Sequence, residues 1–370
     1  MIDTICNSGL FTSWTDPVSG IQSWVLTKQI APLQSSFYFT NRSWTEDGRF
    51  LWLYVAYPPS GSANYGRMLA VIDFVEGTFQ VYPETNFLDA SPMIDLHTGE
   101  AYWISGLDFW KRGPRPSDGV IKVNSFPSEW SNFRQPYRIS THLTLSADGK
   151  WLGVDAQIGH DWYLGAAAVD GSTVEIWQQF DRCYNHAQFS PTDCELQLIA
   201  QDWWFDASTG SKGSADNRMW LLRRGEKAFP LREDGSAQQT HEWWSANGEY
   251  VWYVDYEKGT ERIHIASGKV ENIWPNGTCH SHADTTQFYV VGDIGTYDWK
   301  NGCRVAFYNR KTNREINLVS DLPYTERTRY HTDPHPQFCL GDRWICSTTT
   351  VLGSVTLALT DVNQLIAATS

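Results

Sequence analysis

The pattern that recurs along the chain is clearest in Thr240–Tyr256, THEWWSANGEYVWYVDY. A histidine opens it, a Ser-Ala-Asn-Gly stretch interrupts it, and Tyr250, Val251, Trp252, Tyr253 and Val254 follow as an aromatic and aliphatic run. The alternation and the Asn-Gly pair predict two antiparallel strands joined by a tight turn. Six other segments align on the same turn, beginning at Asn41, Ser91, His142, His186, His282 and His335. Their starts lie roughly 40–55 residues apart, which is the spacing of propeller blades. A sheet that small cannot bury both faces alone, so successive sheets must stack around an axis. The prediction is an all-β, single-domain, seven-bladed β-propeller over residues 1–370. Strands within residues 1 to about 35 are expected to close the ring against the last blade, whose remaining strands fall in Val351–Asn363.

The repeat gives the histidines a meaning that none has alone. His142, His186, His241, His282 and His335 share one repeat position, at the start of the strand that enters the turn. Equivalent positions of successive blades form a ring around the axis, so these side chains are expected at one mouth of the central channel. Buried imidazoles are costly, and an aliphatic residue would pack as well. A polar ring that holds only water or a structural ion stays open as an alternative.

Composition changes the picture in three ways. Nineteen Trp, 17 Tyr and 17 Phe suit pleated, half-buried strands, and most of the Trp belong in blade cores. A formal net charge of −13 argues against nucleic acid and anionic membranes as partners, and an acidic substrate would need a local cation. Seven cysteines without a C-x-x-C pair read as reduced thiols. With no basic-then-apolar leader at the N-terminus and no apolar run of spanning length, the expected location is cytoplasmic. Gln201–Trp220 is longer than a turn, and its Gly/Ser-rich centre predicts a mobile rim loop that delivers Arg218 into the next strand.

Metal-ligand residue types concentrate in two places. One is CHSHAD, Cys279–Asp284; the other is YHTDPHPQF, Tyr330–Phe338, which carries His331, Asp333 and His335. An H-x-D-x-H run in a strand puts alternate side chains on one face. His331, Asp333 and His335 would then join His282 of the adjacent blade as ligands of Mn²⁺, Fe²⁺ or Zn²⁺. A structural reading, with Asp333 hydrogen-bonded to a neighbouring histidine, is nearly as good for the run alone. His280 alternates with His282 but precedes the repeat register, so it ranks lower. There is neither a G-x-S-x-G elbow nor a P-loop.

RMWLL (Arg218–Leu222), THEWWSANGEYVWYVDYEKG (Thr240–Gly259), CHSHAD to VVGD (Cys279–Asp293) and TDPHPQF (Thr332–Phe338) occur in the order found in oligogalacturonate lyases. The chain resembles that family over several blades, most closely from Arg218 onward. The resemblance implies a seven-bladed propeller that cleaves short uronate oligomers by β-elimination, with Mn²⁺ held by three His and one Gln. It implies that His241 is the catalytic base, Arg218 an active-site arginine, and His282 and His335 metal ligands. Asp333 stands where the family has its third histidine, and Tyr330 where it has glutamine. His142 and His186, on the same ring, are expected with Arg218 to bind a uronate-containing oligosaccharide. A non-catalytic carbohydrate-binding propeller and a metal-dependent hydrolase are the competing readings.

Overall fold

A computed structural model describes residues 2–57, 66–87, 92–131, 136–206, 209–232, 238–296, 302–324 and 332–370. Seven antiparallel sheets follow one another along the chain. Blade 1 comprises Leu33–Ser35, Phe50–Ala56, Arg67–Asp73 and Thr78–Phe87, and blade 2 comprises Met93–Ile94, Ala101–Ser105, Asp108–Arg112 and Val120–Ser125. Blade 3 has Trp151–Ile158, Asp161–Ala168 and Val174–Phe180, with an inner edge reduced to isolated bridges at Arg138 and Leu145. Blade 4 is Tyr184–Phe189, Leu196–Gln201, Met219–Arg223 and Phe229–Pro230. Blade 5 is Gln239–Trp244, Tyr250–Asp255, Gly259–His264 and Val270–Trp274. Blade 6 is Thr278–Ala283, Tyr289–Ile294, Arg304–Asn309 and Arg314–Val319. Blade 7 joins Gln337–Cys339, Trp344–Thr349 and Thr356–Asp361 to the N-terminal strands Gln22–Leu26 and Phe11–Thr15.

The ring is closed twice. Within blade 7, Ser23, Trp24 and Val25 pair with Thr360, Leu359 and Ala358. Between blades 7 and 1, Leu33 bridges Val355 in parallel, and Gln34 N donates to Val355 O at 3.2 Å. Each blade also touches the next around the whole circuit.

The turn motif read from the sequence does the same work in blades 1, 3 and 5. Gly48, Gly149 and Gly248 have φ of +74°, +72° and +70°, and each amide donates to the residue three before it at 2.9 Å. The preceding hydroxyls of Thr45, Ser146 and Ser245 donate to Asp47, Asp148 and Asn247 at 2.6–2.7 Å. A side chain thus fixes the turn and the positive φ selects glycine.

Behind the turns, tryptophans fill the layers between sheets. Trp44, Trp52, Trp103, Trp162 and Trp252 are buried almost completely. The insert between Gln201 and Trp220 differs from its expected form. Among its described residues, Trp204–Phe205 pairs with Lys212–Gly213 as a small ribbon. Arg182 lies over the Trp204 ring, 5.2 Å from its centroid. Val362–Ala368 ends the chain as a short helix capped by Asp361, so strand structure stops two residues before Asn363. Among the described residues, no helix is long and apolar enough to cross a membrane.

Candidate active site

The inner edges of the seven blades face the axis, and the turn hydrogen bonds fix which residues are equivalent. Ser146, Ser190, Ser245 and Asp284 each donate their amide across the turn to Trp151, Leu196, Tyr250 and Tyr289. Cys339 pairs with Trp344 at the matching place in blade 7. Counting four residues back from each gives His142, His186, His241, His280 and His335. The ring therefore exists, but blade 6 contributes His280 and not His282. The slip arises because Cys279 is bulged out between the Thr278 and His280 pairs, and because the blade 6 turn carries Gln287 where others carry glycine.

The ring position is a special one for the backbone. His186, His241 and His335 have φ of +53°, +51° and +44°, three of the seven positive-φ non-glycine residues among the described residues. Register shifts between Asn185 and Gln188 and between Thr240 and Trp243 mark bulges at the same place. An imidazole held there at conformational cost is the kind of strain that persists where the side chain is needed.

Two carboxylates clamp neighbouring blades at this level. Asp293 accepts from His280 N at 2.8 Å and from His335 N at 3.2 Å, joining blades 6 and 7. Asp155 accepts from Thr141 N at 2.5 Å and Ala187 N at 2.9 Å, joining blades 3 and 4. Burial pushes the Asp155 carboxyl up to about 6, against the pull of Arg138 and the two amides.

Asp293 also reaches the imidazole of His280, with Oδ2 2.9 Å from Nδ1. Burial opposes charge on this ring, but the Asp293 carboxylate outweighs it and holds the pKa well above the ordinary histidine value. The His280 and His335 rings meet edge-on with centroids 4.3 Å apart. His280, Asp333 and His335 are all buried, and one ligand atom of each lies within 4.8 Å of the other two. Two imidazoles and a carboxylate fit a first-row divalent ion such as Mn²⁺, Fe²⁺ or Zn²⁺. The Asp293 contact fixes His280 Nδ1–H and turns Nε2 to the ligand position, a common second-layer arrangement around metals.

His241 stands beside this group, its ring 4.1 Å from that of His280. Its Nδ1 hydrogen-bonds the carbonyl oxygen of Cys279. A carbonyl only accepts, so Nδ1 carries the proton and Nε2 keeps its lone pair. Burial, then His280 and Arg218, hold the His241 pKa well below the ordinary value. Nε2 is thus an unprotonated base at neutral pH.

Arg218 is buried against Glu242, with Nε to Oε2 at 3.2 Å and Nη2 to Oε1 at 3.3 Å, and its Nη1 lies 3.4 Å from Asp202 Oδ2. These carboxylates outweigh burial and raise its pKa, so it stays charged. Its field lowers the pKa of His142, His186 and His241 behind the larger effect of burial. His142 Nε2 and His186 Nδ1 are 3.0 Å apart. Both rings are held neutral, His142 down to about 3. His142 Nδ1 is buried and has no hydrogen-bond partner among the described residues.

His282, expected among the metal ligands, lies outside the His280 group. Its Nδ1 accepts from Phe338 N at 3.0 Å, and it lines a cavity that contains none of the ring histidines. His331 and Tyr330, also named from the sequence, lie outside the described residues.

Sequence reasoning missed Tyr38 and Phe39. The short inner strand of blade 1 ends at Ser35, and the chain then enters the channel. Tyr38 stacks on His142 with centroids 4.0 Å apart and meets His335 edge-on at 5.0 Å. Phe39 packs on His280 at 5.5 Å and Trp243 at 5.7 Å. No periodicity marks this stretch; its only signal is three adjacent aromatics, Phe37, Tyr38 and Phe39, before a turn. Glu242 and Asp293 were missed because their partners come from other strands. Arg138, close enough to lower the His142 pKa, is a further cation at this mouth.

No family model matches the chain. In sequence it is 27% identical over 174 residues to the oligogalacturonate lyase of Dickeya dadantii (strain 3937), which covers 41% of this chain. The match spans 45% of that relative's length. Two solved structures align over 95% of this chain and 96% of theirs, each at 17% identity. One is an oligogalacturonate lyase in complex with manganese, TM-score 0.75, and the other an oligogalacturonate lyase from Vibrio parahaemolyticus, TM-score 0.74. The resemblance read from the motifs thus appears both in sequence and in fold.

Proposed function

We propose that this chain is a lyase that cleaves uronate-containing oligosaccharides of the oligogalacturonate type by metal-assisted β-elimination. The observation that carries the reading is the meeting of two kinds of group from three blades. An unprotonated His241 Nε2 lies beside a His280–Asp333–His335 donor set fit for a divalent ion. The likeness to oligogalacturonate lyases, one of them in complex with manganese, supports both the substrate class and Mn²⁺ as the ion.

In a uronate the C5 proton is only weakly acidic. A divalent ion at the donor set would neutralise the C6 carboxylate and stabilise the anion that develops as C5–H breaks. His280, Asp333 and His335 would hold that ion, and Asp293 orients His280. His241 Nε2 takes the C5 proton, while Nδ1 stays on the Cys279 carbonyl and keeps the ring aimed. The C4–O bond breaks, its electrons go to the leaving oxygen, and a C4=C5 double bond remains. Arg218, held in place by Glu242 and Asp202, and Arg138 supply positive charge for the carboxylates of an acidic oligomer. His142 and His186 offer neutral ring nitrogens to sugar hydroxyls. This local charge answers the net −13 of the chain. Six free thiols among the described cysteines suit a cytoplasmic setting.

Mass analysis of a trigalacturonate digest tests the reaction type. Elimination gives products whose masses sum to that of the substrate. Products that together gain one water would mean hydrolysis and would remove the base role assigned to His241.

A further inference from the structure

On the side of the turns, Phe39 packs between the ring histidine His280, at 5.5 Å, and Trp243, at 5.7 Å. A cavity of about 430 Å³ opens there, lined among others by Arg42, Gln188, Phe189, Trp243, Trp244 and His282. A second cavity of about 270 Å³ adjoins it and shares Arg42 and Leu96. Neither includes His142, His186, His241, His280 or His335.

Arg42 is the unusual residue. It is half-buried, and among the described residues its guanidinium makes no hydrogen bond and no ion pair. Most other buried or half-buried arginines here are paired, as Arg49 is with Asp73 and Arg262 with Glu271. The acidic groups nearby are engaged elsewhere. Asp284 accepts from Tyr289 N at 2.8 Å and from Thr286, and Glu46 lies 2.9 Å from His97 Nδ1. An arginine left without a counter-ion in an acidic protein is poised for an external anion.

His282 supplies a second donor. Because its Nδ1 accepts from Phe338 N, the ring proton sits on Nε2, on a side chain that lines the same cavity. Arg42 and His282 both line this one cavity. Trp244, whose Nε1 donates to Gln188 O at 3.1 Å, and Trp243 provide flat apolar walls. A volume near 430 Å³ is at the small-ligand end of binding pockets.

We propose that this turn-side cavity is a second ligand site, for a small carboxylate the size of one acidic sugar. The carboxylate sits on Arg42 and the Nε2–H of His282, and the ring lies against the tryptophans. One guanidinium and one neutral N–H match a single negative charge. The site is independent of the elimination chemistry, so each can fail without the other.

The test is titration of the full-length protein with galacturonate, followed by calorimetry and tryptophan fluorescence, for the native protein and for Arg42→Gln, Arg42→Lys and His335→Ala. Arg42→Gln should weaken one binding event by ~10-fold or more, with its thermal midpoint and its turnover of uronate oligomers unchanged. Arg42→Lys should weaken it less, and His335→Ala should leave it in place. Saturable binding that is indifferent to Arg42→Gln, or no saturable binding to the native protein, would overturn the proposal. So would inorganic phosphate binding as tightly through Arg42, which would make the site a general anion hole.

Discussion

At the scale of single residues, the site is built by giving identical side chains different partners. His241 and His280 sit one blade apart at equivalent positions, yet their pKa values are driven in opposite directions. Burial and the charges of His280 and Arg218 depress His241, whereas Asp293 raises His280 against burial. A base must be unprotonated to act, and a depressed pKa keeps it so to lower pH. The acid limb of kcat, measured at saturating manganese, should therefore fall below the ordinary histidine value of about 6.5. A limb at or above that value would assign the base to another group. Asp293 gives a second prediction. Asp293→Asn removes the charge that orients His280, and metal affinity should drop roughly 10–100-fold, read by titration of manganese into chelator-treated protein. An unchanged affinity would show that His280 is not a ligand.

At the scale of elements, bulges do the positioning. The inner strands of blades 4, 5 and 6 each carry one, and it turns the ring residue toward the axis. The outer strands show the same device in a packing role. Gly165 lies at a register shift between the second and third strands of blade 3, and a Cβ there would meet the backbone oxygen of Glu175 at 1.9 Å. Backbone cannot yield as a side-chain tip can, so Gly165→Ala should lower stability by about 1–3 kcal/mol; urea unfolding measures it, and a change within a few tenths would contradict this packing. These devices also set what was legible beforehand. The Ser/Thr-x-Asp/Asn-Gly turn of blades 1, 3 and 5 is a local signal, and aligning the other segments on it yields the blades, their order and four of the five ring histidines. A bulge leaves no such signal. In blade 6, with two alternating histidines and no turn glycine, the register was read two residues late, and His282 took the place of His280. Tyr38 and Phe39 lie on an aperiodic segment. Asp293 and Glu242 fall inside motifs that pointed to the site, but they act on residues of other strands, so spacing alone assigned them no role.

At the scale of the whole molecule, the fold turns sequence distance into proximity. His241, His280 and His335 come from blades 5, 6 and 7, yet their rings meet, and the charge of Arg218 from blade 4 acts on His241. Closure by the N-terminal strands holds blade 7, and with it His335, against blades 6 and 1. The turn-side cavity, with Arg42 and His282, is a separate environment that includes none of the ring histidines. The central claim is that the ring mouth performs elimination with a bound ion and His241. The measurement that tests it most directly is the rise in ultraviolet absorbance of a 4,5-unsaturated uronate when manganese-loaded protein meets oligogalacturonate. The account predicts a steady rise that is abolished by chelation and lost in His241→Ala with the fold intact. Manganese-loaded, folded protein that produces no such absorbance from any uronate oligomer would contradict it.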